Sequence, residues 1–556
     1  MSPRPNCAIN YHPDGYKADR EQVKGRHAAG AGFLKGFIDH SGVDRLVAMT
    51  PSKTHFEDFR NVARALDPAG REAVWARPLD ARVLREVGAI FMPGPGFEDE
   101  AWNRRLGNER DYSLCGLTHT VASDRVINAL GRYLVAPTQP WDALICTSTS
   151  VRAVVERVIE SHADYLAERS GTRFKNPVQL PVIPLGVDCD FHARSDASQG
   201  AGADLRRRLG IAEDDLAALF LGRLSFHAKA HPTPMLMAME RAARRTPDQT
   251  LHLVIVGQFP NQWIEKEFKD AAKRFCGAAR VHILDGASHE VVRAAWSGSD
   301  IFISLSDNIQ ESFGLTPIEA MAAGLPCVVS DYDGYKDTVV DGETGFRIPT
   351  TAPGPGAGVD IADRYGIGLD SYDRFIGIAA LSTMTDVDAC AEAISRLATD
   401  RDLRARMSAA GVERARRFYD WRVVVESYQD LWAELAELRS GAQGIGIRNH
   451  ATQAAKVDFP DPFDMFQGHP SRLLTENSVV AFKSKSPARD LEIVRMGELH
   501  TFVSYALLPE PSLDALMEEL SAGPKKVGDL AAFSRDGRKL LRTLAWLGKF
   551  DLVEFK

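Results

Sequence analysis

No Cys-x-x-Cys pair occurs anywhere in the 556 residues. The seven cysteines, Cys7, Cys115, Cys146, Cys189, Cys276, Cys327 and Cys390, are odd in number and widely scattered. That excludes a zinc ribbon, a thioredoxin-type dithiol and a disulfide scaffold, and it fits a reducing compartment. Long apolar runs are also missing: none approaches the roughly 18 residues a membrane-spanning helix needs. The first residues, Met1 to Pro5, lack an apolar signal core, so the expected location is cytoplasmic, with peripheral contact at the inner face of the membrane left open. Charge of one sign is absent as well. There are 67 basic and 75 acidic residues, a net −8, which argues against a dedicated nucleic-acid coat. What is present is ordinary for a globular protein: 44% hydrophobic and 26% charged residues. The length suggests about three or four domains.

Short apolar runs alternate with helical patterns through the first 350 or so residues. Candidate strands are 7–11, 45–49, 89–92, 114–117, 143–147 and 182–185. The small, polar stretch 192–203 reads as an exposed linker. The pattern then restarts, with strands expected at 216–221, 251–256, 281–284, 301–305 and 327–330. Repeated β-then-α order implies parallel sheets covered by helices on both faces. Two such domains in series place a cleft at their strand ends. Residues 389–417 and 421–438 are helical by period, whereas 351–378 carries no assignable pattern.

The densest chemical signal is 308–333 (NIQESFGLTPIEAMAAGLPCVVSDYD). Thr316, Pro317 and Glu319 have the grammar of a helix start, with Thr as N-cap and Glu closing a capping box. The same geometry admits a second reading. A helix N-terminus preceded by Phe313, Gly314 and Leu315 offers backbone N–H groups and a positive dipole end to a diphosphate. Glu311 and Glu319 flank that cradle and suit vicinal sugar hydroxyls. At the end of the 216–221 strand, Arg223 and Lys229 could clamp phosphate oxygens or form a solvated basic loop. Gly257 ends the next strand with the same ambiguity. The Asp-x-Asp triplets Asp188–Asp190 and Asp331–Asp333 resemble divalent-cation pairs, but no metal is expected.

The E-x7-E spacing of Glu311 and Glu319, with Gly222-Arg223, Lys229 and the EAMAAGLPCVVSD run, resembles glycosyltransferase family 4 over residues 1–440. These are retaining, nucleotide-sugar-dependent enzymes of the GT-B fold. The resemblance implies an α/β chain with two doubly wound, Rossmann-like domains facing a cleft. It implies a retaining hexosyltransferase whose donor is a nucleoside-diphosphate sugar. Arg223 and Lys229 would bind the diphosphate, and Glu311 the donor sugar. The backbone of Phe313, Gly314 and Leu315 would meet sugar or phosphate, and Glu319 the ribose. The family usually has one fewer residue between its Arg and Lys, so His227 or His231 could share the role of Lys229. Gly30 and Gly32 resemble the family's N-terminal glycine-rich loop before a helix starting near Phe33. His119 resembles its sugar-contacting histidine, the alternative being a structural role. Asp333 stands where the family has a glycine-rich turn. A phosphorylase, a nucleotide-sugar epimerase and a non-catalytic glycan-binding scaffold are the competing classes.

The expected boundaries are 1–195 for an acceptor domain, 204–420 for a donor domain and 421–440 for a crossover helix. Residues 445–556 form an extension whose helix, short helix, longer helix and strand read as winged-helix-like, α/β or mostly α. Its longer helix carries Arg535, Arg538, Lys539, Arg542 and Lys549, yet 441–556 holds 15 basic and 15 acidic residues. That balance favours a protein partner or a homo-oligomer over nucleic acid. The acceptor is expected to be a glycan, a lipid-linked sugar or a small molecule.

Overall fold

The computed structural model describes residues 4–16, 25–77, 80–443, 454–534 and 536–556, with backbone alone at 25–27, 500 and 501. It divides into two units, Met1–His450 and Ala451–Lys556.

The first unit contains two six-stranded parallel sheets. One is built from β1 (Ala8–Asn10), β2 (Arg45–Met49), β3 (Glu72–Ala76), β4 (Ala89–Met92), β5 (Ser113–Leu117) and β6 (Ala143–Ile145). The other uses β7 (Leu216–Leu221), β8 (Leu251–Gly257), β9 (Arg280–Asp285), β10 (Ile301–Ser304), β11 (Cys327–Ser330) and β12 (Gly345–Ile348). Their orders are β3-β2-β1-β4-β5-β6 and β12-β11-β10-β7-β8-β9. Each is the doubly wound order, which leaves a ligand crevice at the carboxyl ends of the strands. β4, β6, β10 and β11 are buried throughout, as strands covered by helices on both faces must be.

The differences from the sequence reading have local causes. β3 and β12 are edge strands and only partly buried, so neither shows a continuous apolar run. Residues 182–185 form no strand. Val182 makes an isolated bridge to Cys146, because Pro181 and Pro184 cannot donate to a ladder. The expected linker at 192–203 is largely helix, Asp196–Leu209, opened by a capping box between Ser195 and Ser198. Its small residues serve close packing: a Cβ on Gly202 would meet Gly298 N at 2.7 Å. The expected 389–417 helix is broken at Asp400, which ends Val387–Thr399 and caps Arg401–Arg414 through a 2.8 Å bond from Leu403 N.

The unassigned stretch is a helical insert. Thr350–Thr351 pairs antiparallel with Met384–Thr385, and helices Val359–Gly366 and Tyr372–Leu381 lie between them. The Trp421–Gly441 helix returns to the first sheet. Its Gln429 Nε2 donates to Pro5 O and Ser41 O, both at 2.9 Å.

A fully buried ion pair ties the loops leading into β5 and β6. Both Arg104 guanidinium nitrogens meet Asp142 at 2.7 Å, and both side chains are 0% exposed. Asp142 also accepts from Leu114 N at 2.9 Å and Gln139 N at 2.8 Å.

In the second unit, Val479–Phe482 pairs antiparallel with Lys525–Lys526 and with Val553–Phe555. Helices Glu510–Ser521 and Gly537–Lys549 pack Leu516, Leu544 and Leu547 into its core. This is an α/β module. Arg535 lies outside the described residues. Arg538 is paired to Asp536 at 2.8 Å, and Arg542 Nε donates to Ala506 O at 2.9 Å.

Replacing Asp142 with alanine strands the Arg104 charge in the interior. The expected loss is about 3–5 kcal/mol of unfolding free energy, read by urea denaturation of the full chain.

Candidate active site

β7 ends at Leu221, and the chain turns back through Gly222–Lys229 at the carboxyl edge of the second sheet. Lys229 is 8% exposed. Its ammonium contacts the Glu311 carboxylate and the Tyr335 hydroxyl, the latter at 3.3 Å. Tyr335 in turn bonds Ser304 Oγ at 3.0 Å. Burial pushes the lysine pKa down, but Glu311 and Tyr335 outweigh it and hold it above the usual lysine range. Lys229 is therefore a permanent, buried cation. Arg223 is exposed, with Nη2 on Ala228 O at 3.1 Å.

A polar segment after β10 fixes this loop. Ser306 Oγ donates to Lys229 O at 3.0 Å, Gln310 Nε2 to Ala228 O at 3.3 Å, and Asn308 Nδ2 to His227 O. The Asn308 carbonyl accepts Glu311 N at 3.0 Å, and its side-chain oxygen accepts Gln310 N at 2.9 Å. Asn308 thus sets both the lysine loop and the start of the glutamate loop. Sequence reasoning passed over Ser306, Asn308 and Gln310, because hydrogen bonds to main chain leave no residue pattern. The longer Arg–Lys spacing is absorbed here. His227 faces the insert, 3.7 Å from Asp373, and His231 caps the Pro232–Arg245 helix, leaving Lys229 in the pair with Glu311.

The cradle itself differs from the expected capping box. The helix is Leu315–Ala322, and its N-cap is Gly314, not Thr316. Gly314 has φ 79°, and a Cβ there would sit 2.1 Å from the Tyr335 ring. Only glycine meets both constraints. The Thr316 hydroxyl has no partner in this structure. Glu319 lies just past the first turn, and among the described residues its carboxylate makes no hydrogen bond or ion pair. Phe313 is buried, with its ring 6.1 Å from that of Tyr419.

The two α/β halves meet over this cradle. Ser312 Oγ donates to His119 O, just beyond β5, and Ser148 Oγ donates to Ser312 O at 2.9 Å. Ser150 Oγ reaches Asp333 O at 3.1 Å. Asp337 accepts from Thr149 N at 2.6 Å and Thr149 Oγ1 at 2.7 Å, at the N-terminus of the Thr149–Ser170 helix. The insert also joins both halves. Ile376 packs with Ala122 and Ala228, and Tyr365 OH lies 3.3 Å from Asp124.

Other candidates have structural work. Gly30 and Gly32 do not form a loop, since the helix already begins at Gly25. A Cβ on Gly30 would lie 1.9 Å from Gly15 O, and Gly32 abuts the Trp421 ring at 3.2 Å. The glycines admit close neighbours inside a helix, which a glycine-rich spacing imitates. A Cβ on Gly257 would lie 1.9 Å from Gly222 O, so it supports the lysine loop by contact. Asp188 caps a short helix and pairs with Lys35 at 3.1 Å. Asp190 pairs with Arg416 at 2.9 Å and with Arg422. Among the described residues no cluster of three or more His, Cys, Asp or Glu side chains is arranged to hold a metal.

Two doubly wound sheets closing over a helix N-terminus and a buried lysine define the GT-B class of α/β protein. Residues 203–354 match the family described as "Glycosyl transferases group 1". It is 28% identical over 218 residues to a D-inositol 3-phosphate glycosyltransferase of Geodermatophilus obscurus, covering 38% of this chain and 46% of that one. A protein of the same description from Corynebacterium glutamicum is 24% identical over 294 residues, covering 51% and 60%. The chain therefore spans about half the length of the curated relatives it matches. A solved glycosyltransferase structure from Rickettsia africae superposes with a TM-score of 0.50 at 12% identity, over 78% of this chain and 99% of that one.

Because Gly314 rather than a capping box starts the helix, Glu319→Ala should change stability by less than about 0.5 kcal/mol in urea melts. Loss of a true cap would cost about 1 kcal/mol.

Proposed function

We propose that the protein is a retaining glycosyltransferase. It moves a sugar from a nucleoside-diphosphate sugar to a hydroxyl of a glycan, a lipid-linked sugar or a small molecule. The observation that carries this reading is the Lys229–Glu311–Tyr335 cluster beside the free N-terminus of the Leu315–Ala322 helix. A fixed cation and unpaired N–H groups suit a departing diphosphate, and they act most strongly in a closed, water-poor cleft. Arg223 adds an exposed guanidinium, and Glu319 offers a free carboxylate to ribose hydroxyls. His119 lies at the seam where the donor sugar and acceptor would meet. The charge of the diphosphate is met by these groups, so no metal is invoked. The named relatives act on a phosphorylated polyol, which supports the small-molecule acceptor. Front-face attack, with the leaving phosphate assisting proton transfer, keeps the anomeric configuration.

The Ala451–Lys556 unit is assigned to assembly or to docking a protein partner. Met496, Leu499, Phe502 and Tyr505 are each at least 81% exposed at intervals of three residues. Arg538 and Arg542 are already engaged, which disfavours phosphate neutralisation on nucleic acid. No helix among the described residues is long and apolar enough to cross a membrane.

A panel of nucleotide sugars scored for nucleoside-diphosphate release tests the catalytic reading. Turnover should survive EDTA, and Lys229→Ala and Glu319→Ala should each lower it roughly 100-fold with the fold intact by circular dichroism. Proton NMR of the first product should show the donor's anomer; inversion, or near-normal turnover in both variants, sinks the assignment.

Light scattering tests the second unit. The full chain should exceed monomer mass, and Leu499→Glu with Phe502→Glu should reduce it. Monomers in both samples would remove the assembly role.

A further inference from the structure

Asp333 holds a left-handed backbone conformation, which Asp tolerates better than most non-glycine residues. Among the described residues only Asp333 (φ 45°) and Asp551 (φ 62°) are non-glycines with positive φ. Such a conformation costs an ordinary residue about 1 kcal/mol or more, and it concentrates where a side chain must be aimed. The turn is locked on three sides. Gly334 sits so close to the donor loop that a Cβ would meet Phe313 Cα at 2.4 Å and Ser312 O at 2.7 Å. The Asp333 carbonyl accepts Ser150 Oγ at 3.1 Å from the opposite α/β half. Behind it, the Tyr335 ring packs on Gly314. The Asp333 side chain therefore has a fixed origin at the seam between the halves, next to the cradle.

The carboxyl is half-buried and lies near Glu311. Within the described residues its hydrogen bond is the one from Gly334 N–H. Burial first, then the Glu311 charge and that of Asp337, raise its pKa well above the usual carboxyl range; Gly334 N–H and Lys336 oppose this. Lys229 is committed to Glu311 and Tyr335. Asp333 thus places a carboxyl near Glu311, able to accept a hydrogen bond and, when protonated, to donate one.

We propose that the Asp333 carboxyl hydrogen-bonds a hydroxyl of the transferred sugar, beside Glu311, and so determines which donor sugar the site accepts. The inference rests on the donor-site reading above. A glycine-rich turn, which the resembled family carries here, has no side chain to make this contact.

The test separates sugar from nucleotide. Titration calorimetry of the full chain would use UDP, GDP and ADP and their conjugates UDP-glucose, GDP-mannose and ADP-glucose. Asp333→Gly removes the carboxyl while suiting the positive φ, so folding is kept or improved, which a thermal melt checks. The expected result is a Kd for the preferred conjugate at least tenfold weaker, with the free diphosphate within twofold of wild type. Asp333→Asn, whose amide can still donate, should fall between. Unchanged binding of the conjugate in Asp333→Gly, or equal weakening of conjugate and free diphosphate, overturns the inference and leaves the donor site standing. A wild-type protein that binds none of the six overturns the donor-site reading, and this inference with it.

Discussion

The contact between the Lys229 ammonium and the Glu311 carboxylate organises the carboxyl edge of the second sheet. A buried ammonium without a counter-charge would lose several kcal/mol to desolvation. The two loops that carry these residues, one after β7 and one after β10, must therefore be held in mutual register. Ser306, Asn308 and Gln310 do this through the carbonyls of His227, Ala228 and Lys229. Tyr335 adds a third support by bonding Lys229 and packing on Gly314. Charge, loop and helix N-terminus are in this way one object. None of them can move far without exposing or unpairing the lysine.

The first α/β half reaches this object through a short polar run. Ser148, Thr149 and Ser150 open a 22-residue helix and touch Ser312, Asp337 and Asp333. The Asp337 carboxylate lies at the positive end of that helix, where the dipole favours an anion. Two of the four hydrogen bonds end on backbone oxygens of the loops and two on the Asp337 carboxylate. Closure of this kind excludes water and strengthens every charge interaction inside. The helical insert between Thr351 and Met384 braces the same seam through Ile376 and Tyr365.

Much of this was legible in the residues. The doubly wound pattern follows from local composition and the Glu311 and Glu319 spacing stands in the sequence, whereas the Lys229–Glu311 contact does not. Central strands announce themselves as apolar runs because both faces are buried. β3 and β12 do not, because Glu72 and Arg347 interrupt them and both strands are only partly buried. The glycines at 30 and 32 imitate a phosphate loop yet serve close helix packing, since a sequence shows that a Cβ is missing but not what occupies its place.

The sequence by itself determined the alternation of strand and helix, the restart after residue 203 and the identity of the charged groups. Each rests on interactions between near neighbours along the chain. Tertiary structure alone decided that Thr316 is not a cap, that Asp188 and Asp190 are committed to lysine and arginine, and that Asp333 lies near Glu311. It also decided that Asn308 governs a loop some 80 residues away in sequence. Those outcomes depend on which groups meet when two sheets close on each other. Such meetings are set by distance in space, to which spacing along the chain is blind.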